Sequence, residues 1–307
     1  MELDYILQTQ GLKKEYAGGF AALSGLTMHV PRGSIYGFVG KNGAGKTTLI
    51  RLVCGLQEPT SGSYRLCGVE NGDAKIVRAR RRMGAVVETP SIYLDMTARE
   101  NLRQQYRVLG MPSEEGIDAL LQLVGLEKTA KKKARNFSLG MRQRLGIAVA
   151  LAGEPDFLLL DEPVNGLDPQ GIVEMRELIL RLNREQGITV LISSHILDEL
   201  SRLATWYGFI DGGRMVKEIS AEALENECRK CIRAEVSDAG ALARVLDGAG
   251  IEYKILSDKT ADIFGETSVT ALAEALRREN CELYSMKERD ESLESYYMSL
   301  VGGERRA

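Results

Sequence analysis

The chain has 307 residues, of which 44% are hydrophobic and 27% charged, a composition that excludes disordered, fibrous and very small disulfide-dependent proteins and predicts about two globular domains. The formal net charge is −3, and no part of the chain is basic enough to require a nucleic-acid partner. Because no apolar run approaches the ~20 residues that span a bilayer, and the start Met1-Glu2-Leu3-Asp4 is acidic and unlike a signal peptide, we expect a cytosolic chain that forms no channel.

Short apolar runs alternate with helical patterns through the first two thirds of the chain. The runs of strand length, bounded by glycine or charge, are residues 35–39, 85–87, 157–160 and 188–193. Runs of this kind are typical of strands buried on both faces, so we predict a parallel α/β sheet. Ahead of them, residues 23–30 and the turn Pro31-Arg32-Gly33 predict an antiparallel strand and hairpin at the edge of the sheet.

The first motif with a chemical role is a glycine-rich loop between the strand ending at Val39 and a predicted helix beginning near Thr48. It reads Gly40-Lys41-Asn42-Gly43-Ala44-Gly45-Lys46-Thr47 and matches G-x-x-x-x-G-K-[ST]. Backbone N–H groups in such a loop face inward and bind phosphate, and the following helix adds its positive end. Lys46 can reach the β and γ phosphates, and the Thr47 hydroxyl can ligate Mg²⁺. The sequence therefore predicts a nucleotide site.

Residues 89–155 follow a helical pattern. Thr97, with Glu100 three residues later, has the spacing of a capping box, and Ser113 is predicted to begin the next helix. We predict a helical subdomain over about residues 89–155.

The apolar strand 157–160 ends in two carboxylates, Asp161 and Glu162. Beside a phosphate-binding loop, the first can hold Mg²⁺ through its water shell, and the second can orient and deprotonate an attacking water. This pair predicts a hydrolytic site at the end of the strand.

Four more motifs follow the phosphate loop in order within residues 1–219. They are Asn136-Phe-Ser-Leu-Gly-Met-Arg-Gln143, Leu160-Asp-Glu-Pro163, Asn165-Gly-Leu-Asp168 and Ser193-Ser-His195. Together with the loop they resemble the nucleotide-binding domain of an ATP-binding cassette (ABC) transporter. The resemblance implies a P-loop NTPase of the α/β class, with an antiparallel β subdomain and a helical subdomain, that hydrolyses ATP with Mg²⁺.

The resemblance also assigns site residues. Those implied to bind ATP are Tyr16, Gly40, Asn42, Gly43, Ala44, Gly45, Lys46, Thr47, Thr48, Ser138, Gly140 and Asp168. The implied catalytic residues are Glu162, His195 and Glu88, and the implied metal site comprises Thr47, Asp161 and Glu88.

Three of these assignments concern the aromatic residue, the signature segment and the D-loop of the family. Tyr16 corresponds to the aromatic residue that stacks on adenine. Ser138 and Gly140 belong to the segment that binds the γ-phosphate of ATP held by the opposite subunit. That segment usually reads Leu-Ser-Gly-Gly-Gln, from which this chain departs at Leu139 and Met141. Asp168 matches the D-loop aspartate that communicates across a dimer.

Glu88 stands where cassettes usually carry a glutamine that links Mg²⁺ and the attacking water to the membrane partner. The lantibiotic-resistance exporters that this chain resembles have the same replacement. Glutamate offers only acceptors and a negative charge. We expect Glu88 to remain ionised and to approach the metal in a closed dimer.

Most of these residues also have an ordinary structural explanation. Tyr16 fits a half-buried strand tyrosine, Ser138 a helix N-cap, Asp168 a turn residue before a proline, His195 a core histidine and Glu88 an exposed loop residue. The basic runs at residues 78–82 and 131–133 fit solvated faces, because no aromatic residues are interleaved with them.

The composition changes near residue 220, since residues 220–307 hold 12 basic and 18 acidic residues. The order of predicted elements there is βαββαβ, which indicates a small ferredoxin-like α+β accessory domain over 220–307, followed by a last helix carrying Leu293, Tyr296 and Tyr297. The isolated pair in Cys228-Arg-Lys-Cys231 has no second pair or nearby histidine and predicts two ordinary thiols.

The whole pattern, with the tail Glu291-Ser-Leu-Glu-Ser-Tyr-Tyr-Met298, resembles the ATPase subunits of bacitracin and lantibiotic resistance exporters. The resemblance implies a second copy of the chain, a separate integral membrane permease, no nucleic acid, and a position on the cytoplasmic face of the membrane. An alternative is a soluble ABC ATPase of translation or DNA repair, although those generally have two cassettes or long coiled coils. A P-loop kinase or GTPase is a third, although no guanine-reading Asn-Lys-x-Asp occurs.

Overall fold

The computed structural model describes residues 4–129, 131–228, 231–265, 267–289 and 293–302. The chain divides into two compact units, residues 1–221 and 222–307. Parts of three sequence motifs lie outside the described residues: the first three residues of the amino-terminal motif, the two residues between the paired cysteines, and the first two residues of the tail motif. Within the described ranges, every helix is too short or too polar to cross a bilayer.

The first unit begins with an antiparallel sheet in the order β2-β1-β4-β5. Its strands are β1 (Tyr5–Tyr16), β2 (Phe20–Pro31), β4 (Ser61–Leu66) and β5 (Val69–Glu70). β1 and β2 form a long hairpin with several register shifts, and β1 pairs with β4 on its other side. The strand predicted at residues 23–30 is confirmed as part of β2. The hairpin predicted at Pro31-Arg32-Gly33 is wrong, because β2 pairs with the preceding strand β1, and the strand after that turn lies in another sheet.

A six-stranded sheet forms the centre of this unit, in the order β10-β9-β3-β8-β7-β6. Its strands are β3 (Ile35–Val39), β6 (Met83–Val86), β7 (Phe157–Asp161), β8 (Thr189–Ser194), β9 (Trp206–Asp211) and β10 (Arg214–Ser220). All neighbours are parallel except β10, which pairs antiparallel with β9. The parallel sheet predicted from the four apolar runs is confirmed, and the carboxyl ends of β3, β6, β7 and β8 meet at one edge.

Helices accompany these sheets in the part of the first unit that the structure describes. They are α1 (Lys46–Val53), α2 (Ile76–Arg80), α3 (Ala98–Leu109), α4 (Gly116–Leu123), α5 (Leu139–Leu151), α6 (Pro169–Gln186) and α7 (Leu197–Ser201), with 3-10 turns at Glu127–Thr129 and Ala134–Asn136. The predicted capping box is confirmed at the start of α3: the Thr97 hydroxyl accepts from the N–H of Glu100, and the Glu100 carboxylate accepts from the N–H of Thr97. The predicted start of α4 at Ser113 is wrong, because the Ser113 hydroxyl instead accepts from the N–H of Glu115 in a turn that precedes the helix.

The core of the first unit contains both sheets and α1. Every residue of β3, β7 and β8 is buried, as expected for strands covered on both faces. One buried cluster joins Leu49 and Val53 of α1 to Leu26 and Leu66 of the antiparallel sheet and to Phe157 of the parallel sheet. The helix that follows the phosphate loop is therefore fixed by apolar packing on several sides.

Glycines allow α5 to approach the β6 edge of the sheet closely. A Cβ atom at Gly84 in β6 would lie 2.5 Å from the carbonyl oxygen of Ala150 in α5. A Cβ at Gly146, also in α5, would lie 2.6 Å from Cβ of Pro90, in the segment after β6. No side chain fits at either position without movement of the helix or of its neighbours.

The second unit contains a four-stranded antiparallel sheet in the order β12-β13-β11-β14. Its elements are α8 (Ala221–Glu227, which begins at the last residue of the first unit), β11 (Cys231–Val236), α9 (Ala239–Ala249), β12 (Glu252–Ser257), β13 (Thr260–Phe264), α10 (Val269–Arg278), β14 (Leu283–Arg289) and α11 (Leu293–Gly302). Its core lies between the sheet and α9 and α10. The last strand begins only at Leu283, because the N–H of Cys281 still donates to the carbonyl of Leu276 in α10.

The contact at Gly84 generates a stability prediction. Gly84→Ala is expected to lower the free energy of unfolding of the first unit by about 1–3 kcal/mol, because the added methyl group meets backbone rather than a flexible side chain. The fluorescence of Trp206, the single tryptophan, follows urea unfolding of this unit. Gly72→Ala is the matched control, since nothing lies within 4 Å of its Cβ position. Equal stabilities for the two variants would show that α5 moves aside freely.

Candidate functional site

The phosphate loop connects β3 to α1 and is held by its neighbours. Gly43 and Gly45 have φ angles of 82° and 109°, which only glycine adopts readily. A Cβ at Gly40 would lie 2.6 Å from Ile210, so β9 packs directly on the loop. The N–H of Gly213, in the turn after β9, donates to the carbonyl of Ala44 at 3.1 Å. The loop conformation is thus set by glycine and by backbone contacts.

Lys46 is a buried cation at the start of α1, with only 6% of its surface exposed. Its Nζ donates to the carbonyl oxygens of Gly40 at 2.5 Å and Lys41 at 3.3 Å, and lies 3.4 Å from Oε1 of Glu162. The N-cap of α1, Gly45, supplies no side-chain cap. The first-turn N–H groups and the lysine together can hold an anion such as a phosphate group.

Asp161, at the end of β7, is 2% exposed and connects three elements. Its Oδ2 accepts from the Thr47 hydroxyl of α1 at 2.8 Å, and its Oδ1 accepts from the Ser193 hydroxyl of β8. A carboxylate and a hydroxyl beside a phosphate site are oxygen donors of the kind that Mg²⁺ prefers. Thr47 and Asp161, both predicted as metal ligands, therefore lie together and fit that ion.

Glu162 directly follows the strand and lies between two basic side chains. Its backbone has a φ of 50°, unusual for a residue with a side chain, and its N–H donates to the carbonyl and hydroxyl oxygens of Ser193, both at 3.1 Å. Its carboxylate reaches Nδ1 of His195 at 2.8 Å and the ammonium group of Lys46. The structure thus brings Lys46, Glu162 and His195 into one cluster beside Asp161.

Tyr16, predicted to contact the base, ends β1 and lies near α1. Its hydroxyl donates to Oε1 of Gln57 at 2.8 Å and is 3.5 Å from the Thr48 hydroxyl. The Nζ of Lys14 lies 5.5 Å from the ring centroid. Partial burial acts to raise the pKa of Tyr16, but hydrogen bonds with Thr48, Gln57 and Arg51 and the charge of Arg51 hold that pKa below its usual value. Arg51 therefore lies close to this ring.

Glu88 follows β6 by two residues and has a φ of 58°. Its carboxylate forms an ion pair with the guanidinium of Arg51, in the last turn of α1. The predicted approach of Glu88 to a metal in a closed dimer stays a prediction.

Ser138, Gly140 and Asp168 lie at the starts of α5 and α6. The exposed Ser138 hydroxyl accepts from the N–H of Met141 at 3.3 Å, and the exposed Asp168 carboxylate accepts from the N–H of Gly171 at 3.2 Å. Both are therefore helix N-caps, which is the ordinary explanation predicted for Ser138, whereas Asp168 was predicted as a turn residue before a proline. The two segments are close neighbours, since a Cβ at Gly140 would lie 3.7 Å from Leu167.

Three partner side chains acquire a role only in the structure. Ser193 donates to Asp161, Gln57 accepts from Tyr16, and Arg51 pairs with Glu88. A local signal exists for Arg51, which lies one helical turn after Thr47 and hence on the same side of α1. The other two pairings join residues 32 and 41 positions apart, and nothing in the local pattern indicates them.

Comparison with known proteins gives relatives over the whole chain. The sequence profile described as ABC transporter matches residues 23–165. The bacitracin transport ATP-binding protein BcrA of Enterococcus faecalis is 37% identical over 99% of this chain and 98% of its own. The lantibiotic transport ATP-binding protein SrtF of Streptococcus pyogenes is 42% identical over 72% of this chain and 93% of its own.

Solved structures agree with this similarity. A dimeric ATP-binding cassette in a post-hydrolysis state, bound to ADP and Pi, superposes with a TM-score of 0.63. It is 26% identical to this chain and covers 70% of this chain and 98% of its own.

The burial of Asp161 generates a second prediction. Ser193→Ala removes a donor to a carboxylate that is almost inaccessible to water, so the free energy of unfolding is expected to fall by about 1–3 kcal/mol. Trp206 fluorescence in urea measures the loss. Ser91→Ala, at an exposed loop position, is the control and is expected to change stability by less than about 0.5 kcal/mol. A loss no larger than the control's would mean that Asp161 does not depend on Ser193.

Proposed function

On the premise that the chain belongs to the ABC transporter family and is an ATP-binding, ATP-hydrolysing subunit, we propose that it powers export of an antimicrobial peptide or antibiotic of the bacitracin or lantibiotic type. The observation that carries the proposal is similarity to a bacitracin transport protein over both units of the chain. The soluble alternative in translation or DNA repair is not favoured, because two bacitracin transport proteins match this chain over 98% of their own length.

We assign ATP to the phosphate loop. The N–H groups of residues 40–47 and the Lys46 ammonium group bind its phosphates, and Tyr16 stacks on the adenine. Thr47 and Asp161 hold Mg²⁺, which neutralises phosphate charge when bound. The support is the hydrogen bond that joins these two side chains and the buried cation beside them.

Glu162 is the proposed general base. Phosphate oxygens that enter the loop compete for Lys46, which frees the Glu162 carboxylate from its ion pair. That carboxylate then accepts a proton from the water whose oxygen attacks the γ-phosphorus, and the bond from that phosphorus to ADP breaks. His195, hydrogen-bonded to Glu162, orients the carboxylate and contacts the γ-phosphate.

The catalytic unit is proposed to be a dimer. The hydrogen bonds described for Ser138 and Asp168 are local, to Met141 and Gly171. Gly140 lies near Leu167, in the segment before α6. Ser138 and Asp168 are exposed, and an exposed helix N-terminus can accept the phosphates of a second copy's nucleotide. The solved cassette bound to ADP and Pi is a dimer, which supports a dimeric catalytic unit.

The membrane partner is proposed to be an integral membrane permease. A groove of about 350 Å³ lies between α2, β6 and the ends of α3 and α5, and it includes the exposed side chains of Val77 and Leu109 beside Arg81. An amphipathic permease segment with acidic residues matches this mixture of apolar and basic groups. The same partner holds the chain at the cytoplasmic face of the membrane.

The assignment of the base is tested by Glu162→Gln. Turnover is expected to fall at least about 100-fold while ATP binding persists, because an amide cannot accept the proton. Phosphate release measures the first quantity and titration with a fluorescent ATP analogue the second, and light scattering should show ATP-dependent dimers. Glu185→Gln, at an exposed site on α6, is the control. Normal turnover in Glu162→Gln would remove Glu162 from this role.

The transported class is tested in a sensitive bacterial host that produces the chain together with its permease. Resistance to bacitracin or to a lantibiotic is expected to rise several-fold, and the rise is expected to disappear with Glu162→Gln in the same complex. If the complex hydrolyses ATP but neither resistance changes, the proposed substrate class is wrong while the ATPase assignment stands.

A further inference from the structure

One side of α1 holds two carboxylates from neighbouring strands. Thr47 and Arg51 are one helical turn apart, so their side chains lie on the same face. Thr47 donates to Asp161, the last residue of β7, and Arg51 pairs with Glu88, two residues beyond β6. β6 and β7 are adjacent and parallel, with Val86 opposite Leu160, so both carboxylates lie at the same edge of the sheet.

The ion pair between Arg51 and Glu88 contributes little to folding. The Arg51 side chain is 35% exposed and that of Glu88 56% exposed, and exposed ion pairs add little stability. What the pair does change is the local charge. Without Arg51, Glu88 leaves an unpaired negative charge at the same edge of the sheet as Asp161, which is the edge proposed to receive the phosphates of ATP, and like charges repel.

Arg51 is also placed to sense the base side of the nucleotide. Its positive charge helps to hold the pKa of the Tyr16 phenol below the usual value, against the opposing effect of partial burial. The guanidinium therefore lies between the residue proposed to stack on adenine and the carboxylate beside the metal ligands. Its location in the last turn of α1 is favourable for a cation, because the helix dipole is negative there.

We propose that Arg51 is a positioning residue for nucleotide binding that holds the Glu88 carboxylate and cancels its charge while the phosphates enter the loop. The proposal rests on the proposed function, in that the loop around Lys46 receives ATP.

The test is binding of a fluorescent ATP analogue to the full chain, in EDTA and again in Mg²⁺. In EDTA, Arg51→Met is expected to weaken binding by about threefold to tenfold, because the unpaired Glu88 repels the phosphates. The difference in affinity between Arg51→Met and the wild type is expected to be smaller in Mg²⁺ and at high salt. In the double variant Arg51→Met, Glu88→Gln, binding is expected to match Glu88→Gln alone within about twofold. Arg51→Lys is expected to retain most of the binding.

Two controls keep the result interpretable. Arg99→Met removes an exposed arginine that pairs with Asp118 in the helical segment, and it is expected to leave binding unchanged. A charge-reversed variant, Arg51→Glu with Glu88→Arg, is expected to bind better than Arg51→Glu alone, and it supplies a second test if Arg51→Met is unstable. Thermal unfolding of each variant shows whether it is folded.

The proposal is overturned if Arg51→Met binds as the wild type does. It is also overturned if Arg51→Met weakens binding equally in the wild-type chain and in the Glu88→Gln variant, since Arg51 would then act directly on the nucleotide or on the fold. A different result would show that the proposed ATP site itself is wrong. In that case the wild-type chain and the Lys46→Ala variant would bind the analogue equally poorly.

Discussion

The hydrogen bonds of a buried carboxylate hold the candidate site together. Asp161 lies at the end of a strand that is buried throughout, where an ionised group without donors would be very unfavourable. Thr47 and Ser193 supply the donors from the two elements on either side. The two hydrogen bonds to Asp161 therefore fix the start of α1 and the end of β8 relative to β7. Lys46 and His195 are placed by the same bonds, because they lie next to Thr47 and two residues after Ser193.

Two residues at the same edge of the sheet have a strained backbone. Glu88 and Glu162 follow adjacent parallel strands, and both have positive φ angles although they carry side chains. Such a conformation costs about 1–3 kcal/mol for a residue with a Cβ, and it persists only where the surroundings require it. At Glu162 the two N–H bonds to Ser193 are such surroundings. Both turns direct a carboxylate toward the helix or the side chains that surround the phosphate loop.

Local patterns predicted much of this arrangement. Continuous apolar runs bounded by glycine or charge indicate the strands β3, β7 and β8, and the loop that begins at Gly40 follows from its spacing alone. Thr97 with Glu100 predicted a helix start, because a capping box needs only neighbouring residues.

Long-range pairing could not be predicted in this way. β10 is a half-buried edge strand without a clear alternation, so the strand itself had little local signal. Its hairpin with β9 did have one, the two-residue turn Gly212-Gly213, in which both φ angles are positive. The bond between Tyr16 and Gln57 depends on where a distant segment comes to lie, since it joins residues 41 positions apart. The resemblance to a family supplied residue roles, such as that of Ser138, that no local pattern contains.

The close packing of α5 against β6 and Pro90 has a consequence for movement of the helix. Gly146 has no clearance from Pro90, and Gly84 has none from the backbone of α5. Eight residues of stiff helix, about 12 Å, separate Gly146 from the cap at Ser138. A displacement of the segment after Glu88 is therefore expected to press directly on α5 at Gly146. Because Ser138 caps the same helix, that contact connects the edge of the sheet to the helix start that carries Ser138.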